Sequence, residues 1–150
     1  MKVKVIKQRS ISSYRTARAK QELYRQAHER LERAIKRGSH IEAVVLIESL
    51  MSDRLESALT QIKGKPVNVS TLGMLLREFQ KHVEIDDEFR AAMWAWNKSR
   101  GLVVHEMVKL TNEIESSWEE RIAYARITAR EGKELLRQLR KYTDKITRRK

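Results

Sequence analysis

Apolar residues recur at intervals of three and four positions along almost the whole 150-residue chain, and this spacing constrains the fold more than any other feature. It places apolar side chains on one face of a helix, whereas a strand would need strict alternation. Few residues interrupt the pattern, because the chain contains one proline and five glycines. The sequence therefore predicts an all-α protein, a single-domain bundle of about five helices.

The breaks in this pattern give the helix boundaries. Gly38 ends the first helix, and the Lys63–Pro66 segment ends the second. The second helix is apolar nearly all round in its first half, so we expect it at the centre of the bundle. The predicted helices are residues 12–37, residues 41–62, a short helix from Ser70, a fourth helix that begins at residues 86–88, and a fifth from residue 116 or 117 to about residue 146.

Three local features sharpen this outline. Ser39 and Glu42 have the spacing of a capping box at the start of the second helix. Trp118 begins the predicted inner face of the fifth helix, and Gly132, in the middle of that helix, predicts a kink or a close helix crossing. Residues 1–12 are read as a basic tail, so that residues 1–150 form one domain.

Composition excludes several functional classes. The chain has no cysteine, so disulfides, thiol nucleophiles and thiolate zinc sites are excluded. Its four histidines lack the spacing of a metal-binding motif, and we expect no metal or other cofactor. The start is too short and too interrupted by lysine for a signal peptide, and no apolar run is long enough to span a membrane. We therefore expect a soluble, cytoplasmic protein without a membrane partner.

The positive charge is concentrated at the two ends of the sequence. The net charge of +12 divides into +9 for residues 1–40, −1 for residues 41–110 and +4 for residues 111–150. Basic outer helices can attract polyanions such as nucleic acids, or can simply keep a helical protein soluble. Charge alone leaves both interpretations open.

The apolar stripe of the fourth helix leads to a cation. Phe89, Met93 and Trp96 are followed at the next turn by Arg100, and the segment Arg100-Gly101-Leu102-Val103-Val104-His105 comes next. Positions five apart on a helix are separated by about 140°, so Arg100 and His105 meet only if the helix bends, loosens or ends between them. Gly101 is the residue that would permit this.

Glu48 is a matching charge on the apolar stripe of the second helix. A buried ion pair between Glu48 and Arg100 is one complete explanation of both residues. A functional role is the other, in which Asn97, one turn before Arg100, orients the guanidinium or touches a phosphate. The same spacing occurs a second time, at Arg77 and His82, where no glycine or apolar run lies between the two residues. We interpret that second match as accidental.

In this context the chain resembles the HEPN domain family, over about residues 15–145. The segment GSHIEAVVLIESLMSDRLESAL is similar to the family's second helix, which opens with Gly-x-His/Tyr, a hydrophobic residue and Glu-Ala. The segment DDEFRAAMWAWNKSRGLVVHE resembles its closing helix, which ends in Asn-x-x-Arg-x4-His. The chain departs from the family at Gly101, where a polar residue, often asparagine, is usual.

The resemblance implies a metal-independent endoribonuclease of the toxin or defence type, with a homodimer cleft lined by both Arg-His pairs. Arg100 and His105 would be catalytic, and Asn97 and Glu48 would support them. RNA would be the substrate, and an antitoxin or another protein partner is possible. Two alternatives stay open: a non-catalytic helical module that binds RNA or a partner, and a helical DNA-binding protein that uses the basic first and last helices.

Overall fold

The computed structural model describes residues 14–67, 71–109 and 116–147, and the side chains from residue 18 onward. The basic tail predicted for residues 1–12 lies outside these ranges. Every regular element within them is a helix, which confirms the prediction of an all-α, five-helix bundle. The helices are α1 (Tyr14–Arg37), α2 (His40–Lys63), α3 (Leu72–His82), α4 (Asp87–His105) and α5 (Trp118–Thr147).

Helix α2 is the centre of the bundle, as its sequence predicts. It packs against all four other helices, and α5 covers the largest part of it. Its buried positions cover about half of the helix circumference. They are Ala43, Val44, Ile47, Leu50, Met51, Leu55, Ala58 and Leu59. Two charged residues of this helix, Glu48 and Arg54, contact neighbouring helices: Glu48 pairs with Arg100 of α4, and Arg54 pairs with Asp144 of α5.

The helix ends follow local chemistry in most places. The Asp86 side chain accepts a hydrogen bond from the backbone N–H of Phe89 and caps α4, and the Thr71 side chain accepts one from Met74 and caps α3. The predicted capping box at α2 is wrong. Ser39 precedes α2 but its side chain makes no cap hydrogen bond, and Glu42 instead pairs with Arg30 of α1.

Helices α4 and α5 cross closely at Gly132, which confirms one of the two roles predicted for this glycine. Trp96 is buried against it, and the indole Nε1 donates a 2.8 Å hydrogen bond to the backbone carbonyl of Thr128. A Cβ on Gly132 would lie only 2.6–2.7 Å from three indole atoms, so the crossing needs glycine. Trp118 is 54 % exposed, so the inner face of α5 begins after it, later than predicted.

No helix among the described residues combines the length with the apolar content that crossing a bilayer requires.

Candidate functional site

Three of the four predicted site residues, Asn97, Arg100 and His105, lie on the second half of α4, which is one continuous helix. Residues 87–105 are α-helical without interruption, and Gly101 does not have the positive φ found at Gly38 and Gly64. The helix therefore does not end at Gly101, although glycine would permit it to do so. A Cβ added to Gly101 would meet nothing within 4 Å, so neither the backbone conformation nor packing requires glycine there.

Arg100 is held from two sides at the contact between α4 and α2. Its Nη1 lies 3.0 Å from Oε1 of Glu48, and its Nη2 donates a 2.7 Å hydrogen bond to Oδ1 of Asn97. The Arg100 side chain is only 16 % exposed. The Nε is buried and finds no hydrogen-bond partner among the described residues. The contacts of the two terminal nitrogens thus orient the guanidinium, while the third nitrogen, Nε, makes no hydrogen bond to a described residue.

Glu48 and Asn97 therefore stand where the sequence places them, next to Arg100. Asn97 lies one turn before Arg100 on α4, and Glu48 reaches it from the central helix. The ion pair that the sequence offers as a purely structural explanation is formed. Its geometry also fixes the plane of the guanidinium, which is what a phosphate-binding arginine requires.

His105 is the last residue of α4, and it is exposed. Because the helix is uninterrupted, the side chains of Arg100 and His105 leave it about 140° apart. One copy of the chain consequently presents the two residues on different sides of α4.

The second match to the same spacing has a different environment. Arg77 and His82 are both exposed on α3, and His82 is the last residue of that helix. Neither forms an ion pair within the described parts of the chain. His82 is thus an exposed histidine at a helix end, like His105, but without a buried arginine before it.

A cavity of about 300 Å³ lies between the end of α4 and the start of α5. Arg121 closes one side of it and donates hydrogen bonds of 3.0 and 2.8 Å to the backbone carbonyls of Glu106 and Met107. Exposed apolar side chains surround this end of the bundle: Leu102, Val108, Trp118, Tyr124 and Ile127. Sequence reasoning did not single out Arg121, whose two acceptors lie in a loop that follows α4.

Two other features were also missed from the sequence. Arg54 of α2 is as buried as Arg100 and pairs with Asp144, a contact across 90 residues that no local pattern reveals. The other feature does have a sequence signal, because the basic residues of α5 recur at intervals of four, three, four and three. They are Arg126, Arg130, Lys133, Arg137 and Arg140.

In the described ranges, no group of three or more histidine, aspartate or glutamate side chains is arranged to hold a metal ion. Comparisons of the chain with models of protein families, with curated proteins and with solved structures gave no significant match.

Proposed function

We propose that this chain is a metal-independent endoribonuclease that acts as a homodimer in the cytoplasm. In the dimer, Arg100 and His105 of both copies line one cleft. The observation that carries the proposal is the arrangement on α4, where a largely buried guanidinium fixed by Glu48 and Asn97 is followed by an exposed imidazole. The resemblance to the HEPN family gives the arrangement its chemistry.

RNA supplies its own nucleophile, so the protein needs only to move protons and stabilise charge. An imidazole takes the proton from the ribose 2′-hydroxyl as O2′ attacks the neighbouring phosphorus. The P–O5′ bond then breaks, and a second imidazole gives a proton to the leaving oxygen. Arg100 stabilises the pentavalent phosphorane. The products are a 2′,3′-cyclic phosphate and a 5′-hydroxyl end.

A dimer supplies what one copy lacks. Its cleft contains two imidazoles, one for each proton transfer, whereas one copy presents Arg100 and His105 on different sides of α4. The apolar surface beside His105 supports pairing at this end of the bundle, because Val108 is 86 % exposed and Trp118 54 %. Burying such side chains against a second copy stabilises association.

The ion pair of Arg100 also favours a second candidate, a non-catalytic module that binds RNA or a protein partner. Arg54 has the same burial and the same kind of acidic partner. An arginine in such a position can therefore serve packing alone in this fold. Under this interpretation Arg100 and Glu48 hold α4 to α2, and His105 has no catalytic task.

The proposal is tested by incubating the purified protein with single-stranded and structured RNAs, with and without EDTA, followed by analysis of the product ends. We expect cleavage that survives EDTA and yields 2′,3′-cyclic phosphates. A substrate with 2′-deoxyribose at the cut site should resist. Products with a 5′-phosphate, or cleavage that needs added magnesium, would contradict the mechanism.

His82 provides a matched control for His105, since both are exposed histidines at the last position of a helix. His105→Ala should abolish cleavage, and should abolish any growth arrest of the toxin type on expression, while the helical content is retained. His82→Ala should leave both unchanged. Tight RNA binding without any cleavage would favour the non-catalytic module, and a monomer at micromolar concentration would remove the shared cleft.

A further inference from the structure

Helix α5 carries a row of five basic side chains along one face, which we call the basic stripe. The four-three-four-three spacing keeps successive members on the same side of a helix. From the first to the last member the helix rises about 21 Å. All five residues are exposed: Arg126, Arg130, Lys133, Arg137 and Arg140.

The basic stripe forms one wall of a groove, and α1 forms the other. Both helices pack mainly against α2, and the Lys133–Glu32 ion pair at 2.7 Å connects them across the groove. The groove encloses about 300 Å³. Four members of the basic stripe line it, together with His28 and Glu32 of α1.

Positive charge in the groove exceeds negative charge. Lys133 pairs with Glu32, and Arg137 Nε lies 2.9 Å from Oε2 of Glu134. Arg126, Arg130 and Arg140 form no ion pair with any residue that the structure describes. Of these, Arg130 and Arg140 line the groove, and Arg126 continues the basic stripe one turn beyond it. Two guanidinium groups in the groove, with a third on the same stripe, are therefore available to an anionic ligand.

A histidine lies near each end of the basic stripe. Burial lowers the pKa of His28, and Arg140 and Arg54 lower it further. Burial also lowers the pKa of His40, and Arg126 and Arg130 lower it further. Members of the stripe at both ends thus act on a neighbouring imidazole in the same direction.

We propose that this groove binds the phosphodiester backbone of a single nucleic-acid strand, at a site separate from Arg100 and His105. Its cations are spaced along a line, which matches a chain of phosphates better than one compact anion. Arg and Lys side chains dominate the lining of the groove, and contacts from them to phosphates carry no sequence information, so binding is electrostatic and tolerant of sequence. That the strand is RNA rests on the proposed function.

The composition of this face argues against a membrane as the ligand. Helices that lie on bilayers place Trp, Phe or Leu beside their basic residues, exposed to the lipid. The leucines of this groove, Leu31 and Leu136, are buried in the core instead. A groove between two helices also cannot meet a flat surface along its floor.

The basic stripe and the contact with α4 lie on different faces of α5. Tyr124, two residues before the first member of the stripe, donates a 2.8 Å hydrogen bond from its hydroxyl to Oγ of Ser99, which directly precedes Arg100. Positions 124 and 126 are separated by about 200° on a helix, so the stripe faces away from α4. The groove is therefore a binding site apart from the candidate catalytic helix.

The test measures binding of a fluorescent 15-nucleotide RNA and the matching single-stranded DNA to full-length His105→Ala, in which cleavage is blocked. Arg130→Ala/Arg140→Ala in this background removes two unpaired members of the basic stripe. Arg77→Ala/Lys65→Ala is the control, because it removes the same charge from exposed sites elsewhere. Circular dichroism checks that each variant is folded.

We expect the stripe variant to bind RNA on the order of tenfold more weakly at moderate salt, and the slope of log K against log[salt] to fall by about 1.4. The control should change affinity less than twofold. Single-stranded DNA should show the same dependence on the stripe, since only phosphates are read. Equal losses in both variants, or no loss in the stripe variant, would overturn the inference.

These outcomes are distinguishable from a failure of the proposed function. If the unmodified protein cuts no RNA but binding depends on the basic stripe, the groove stands and the ribonuclease proposal falls. If the protein cuts RNA while binding is indifferent to the stripe, the reverse holds. Preference for duplex over both single strands would also contradict a single-strand groove.

Discussion

Arg54 of α2 and Arg100 of α4 share three features. Each side chain is 16 % exposed, each pairs with a carboxylate on another helix, and each has a buried Nε without a described partner. Arg54 Nη1 lies 3.3 Å from Asp144 Oδ1, and Arg100 Nη1 lies 3.0 Å from Glu48 Oε1. A largely buried arginine is consequently an ordinary structural device in this bundle.

The surroundings of the two arginines differ. The Arg54 guanidinium lies 5.4 Å from the centre of the Tyr24 ring, and the Tyr24 hydroxyl donates to Asp53, which also pairs with Lys20. These contacts complete a network between α1 and α2. Among the residues that the structure describes, the polar partners of Arg100 are Glu48 and Asn97, and α4 then ends at an exposed histidine. Burial alone thus does not distinguish a functional arginine here, but the neighbouring groups do.

Replacing each arginine separately gives the largest expected contrast. Arg100→Ala and Arg54→Ala should each lower the free energy of unfolding by about 1–2 kcal/mol, because each removes an ion pair from a partly buried carboxylate. Only Arg100→Ala should also reduce RNA cleavage, by about 10²–10³-fold or more, since the proposed mechanism places only Arg100 at the phosphorane. Chemical denaturation and cleavage assays below the unfolding range separate the two effects.

Lysine substitutions refine this test. Arg100→Lys keeps the charge but lacks the planar fork that contacts two phosphate oxygens, so cleavage should remain badly impaired. If Arg100→Lys retains full cleavage, or if Arg54→Ala reduces cleavage as much as Arg100→Ala does, the proposed difference between the two arginines is wrong.

The two ion pairs also differ in how far the sequence predicts them. The sequence offers an ion pair between Glu48 and Arg100 as one explanation of both residues, because each interrupts an apolar stripe and both stripes face the core. Arg54 and Asp144 interrupt nothing comparable, and their pairing depends on how α5 lies on α2. Local signals failed likewise at Glu42, where Arg30 of a neighbouring helix competes successfully with the predicted capping box.

The helix boundaries agree with the prediction within a few residues, since caps and breakers such as Asp86 and Gly64 act locally. The inner face of α5 was predicted less well at Trp118, because the partner surface ends before the helix does. The basic stripe is readable as a spacing. The groove that it forms with α1 depends on tertiary packing, which the spacing of the basic residues does not predict.

Gly132→Ala tests whether the Arg100 region depends on the α4–α5 crossing while the Arg54 region does not. The added Cβ would overlap the buried indole of Trp96, which lies one turn before Arg100. We expect the free energy of unfolding to fall by about 2 kcal/mol, overpacking being partly offset by the better helix propensity of alanine. Cleavage should fall as well, through displacement of α4.

Gly101→Ala is the matched control on the other helix. Its Cβ meets nothing within 4 Å, so the same substitution should raise the free energy of unfolding by about 1 kcal/mol. Thermal denaturation of the two variants checks both signs. Equal effects would mean that the Trp96–Gly132 contact does not determine the position of α4.

The smallest expected effect is on the titration of His28, which belongs to the Arg54 region alone. His28 lies beside Tyr24 and Glu32 on α1, Arg54 on α2 and Arg140 on α5. Burial, Arg140 and Arg54 lower its pKa from the ordinary 6.5, and Glu32 acts in the opposite direction. Arg54→Ala should therefore raise the pKa of His28 in an NMR titration, whereas Arg100→Ala should leave it unchanged.

The lowered pKa of His28 also makes the free energy of unfolding depend on pH. Because the pKa of His28 is lower in the folded than in the unfolded chain, the unfolded state binds more protons as the pH falls below about 6.5. The His28 contribution to the free energy of unfolding is therefore lost from that pH down to the folded pKa. His28→Gln should reduce the loss of stability between pH 7.5 and 5.5, measured by denaturation at each pH. A His28 pKa that responds equally to the loss of Arg54 and of Arg100 would mean that the two arginines share one electrostatic environment after all.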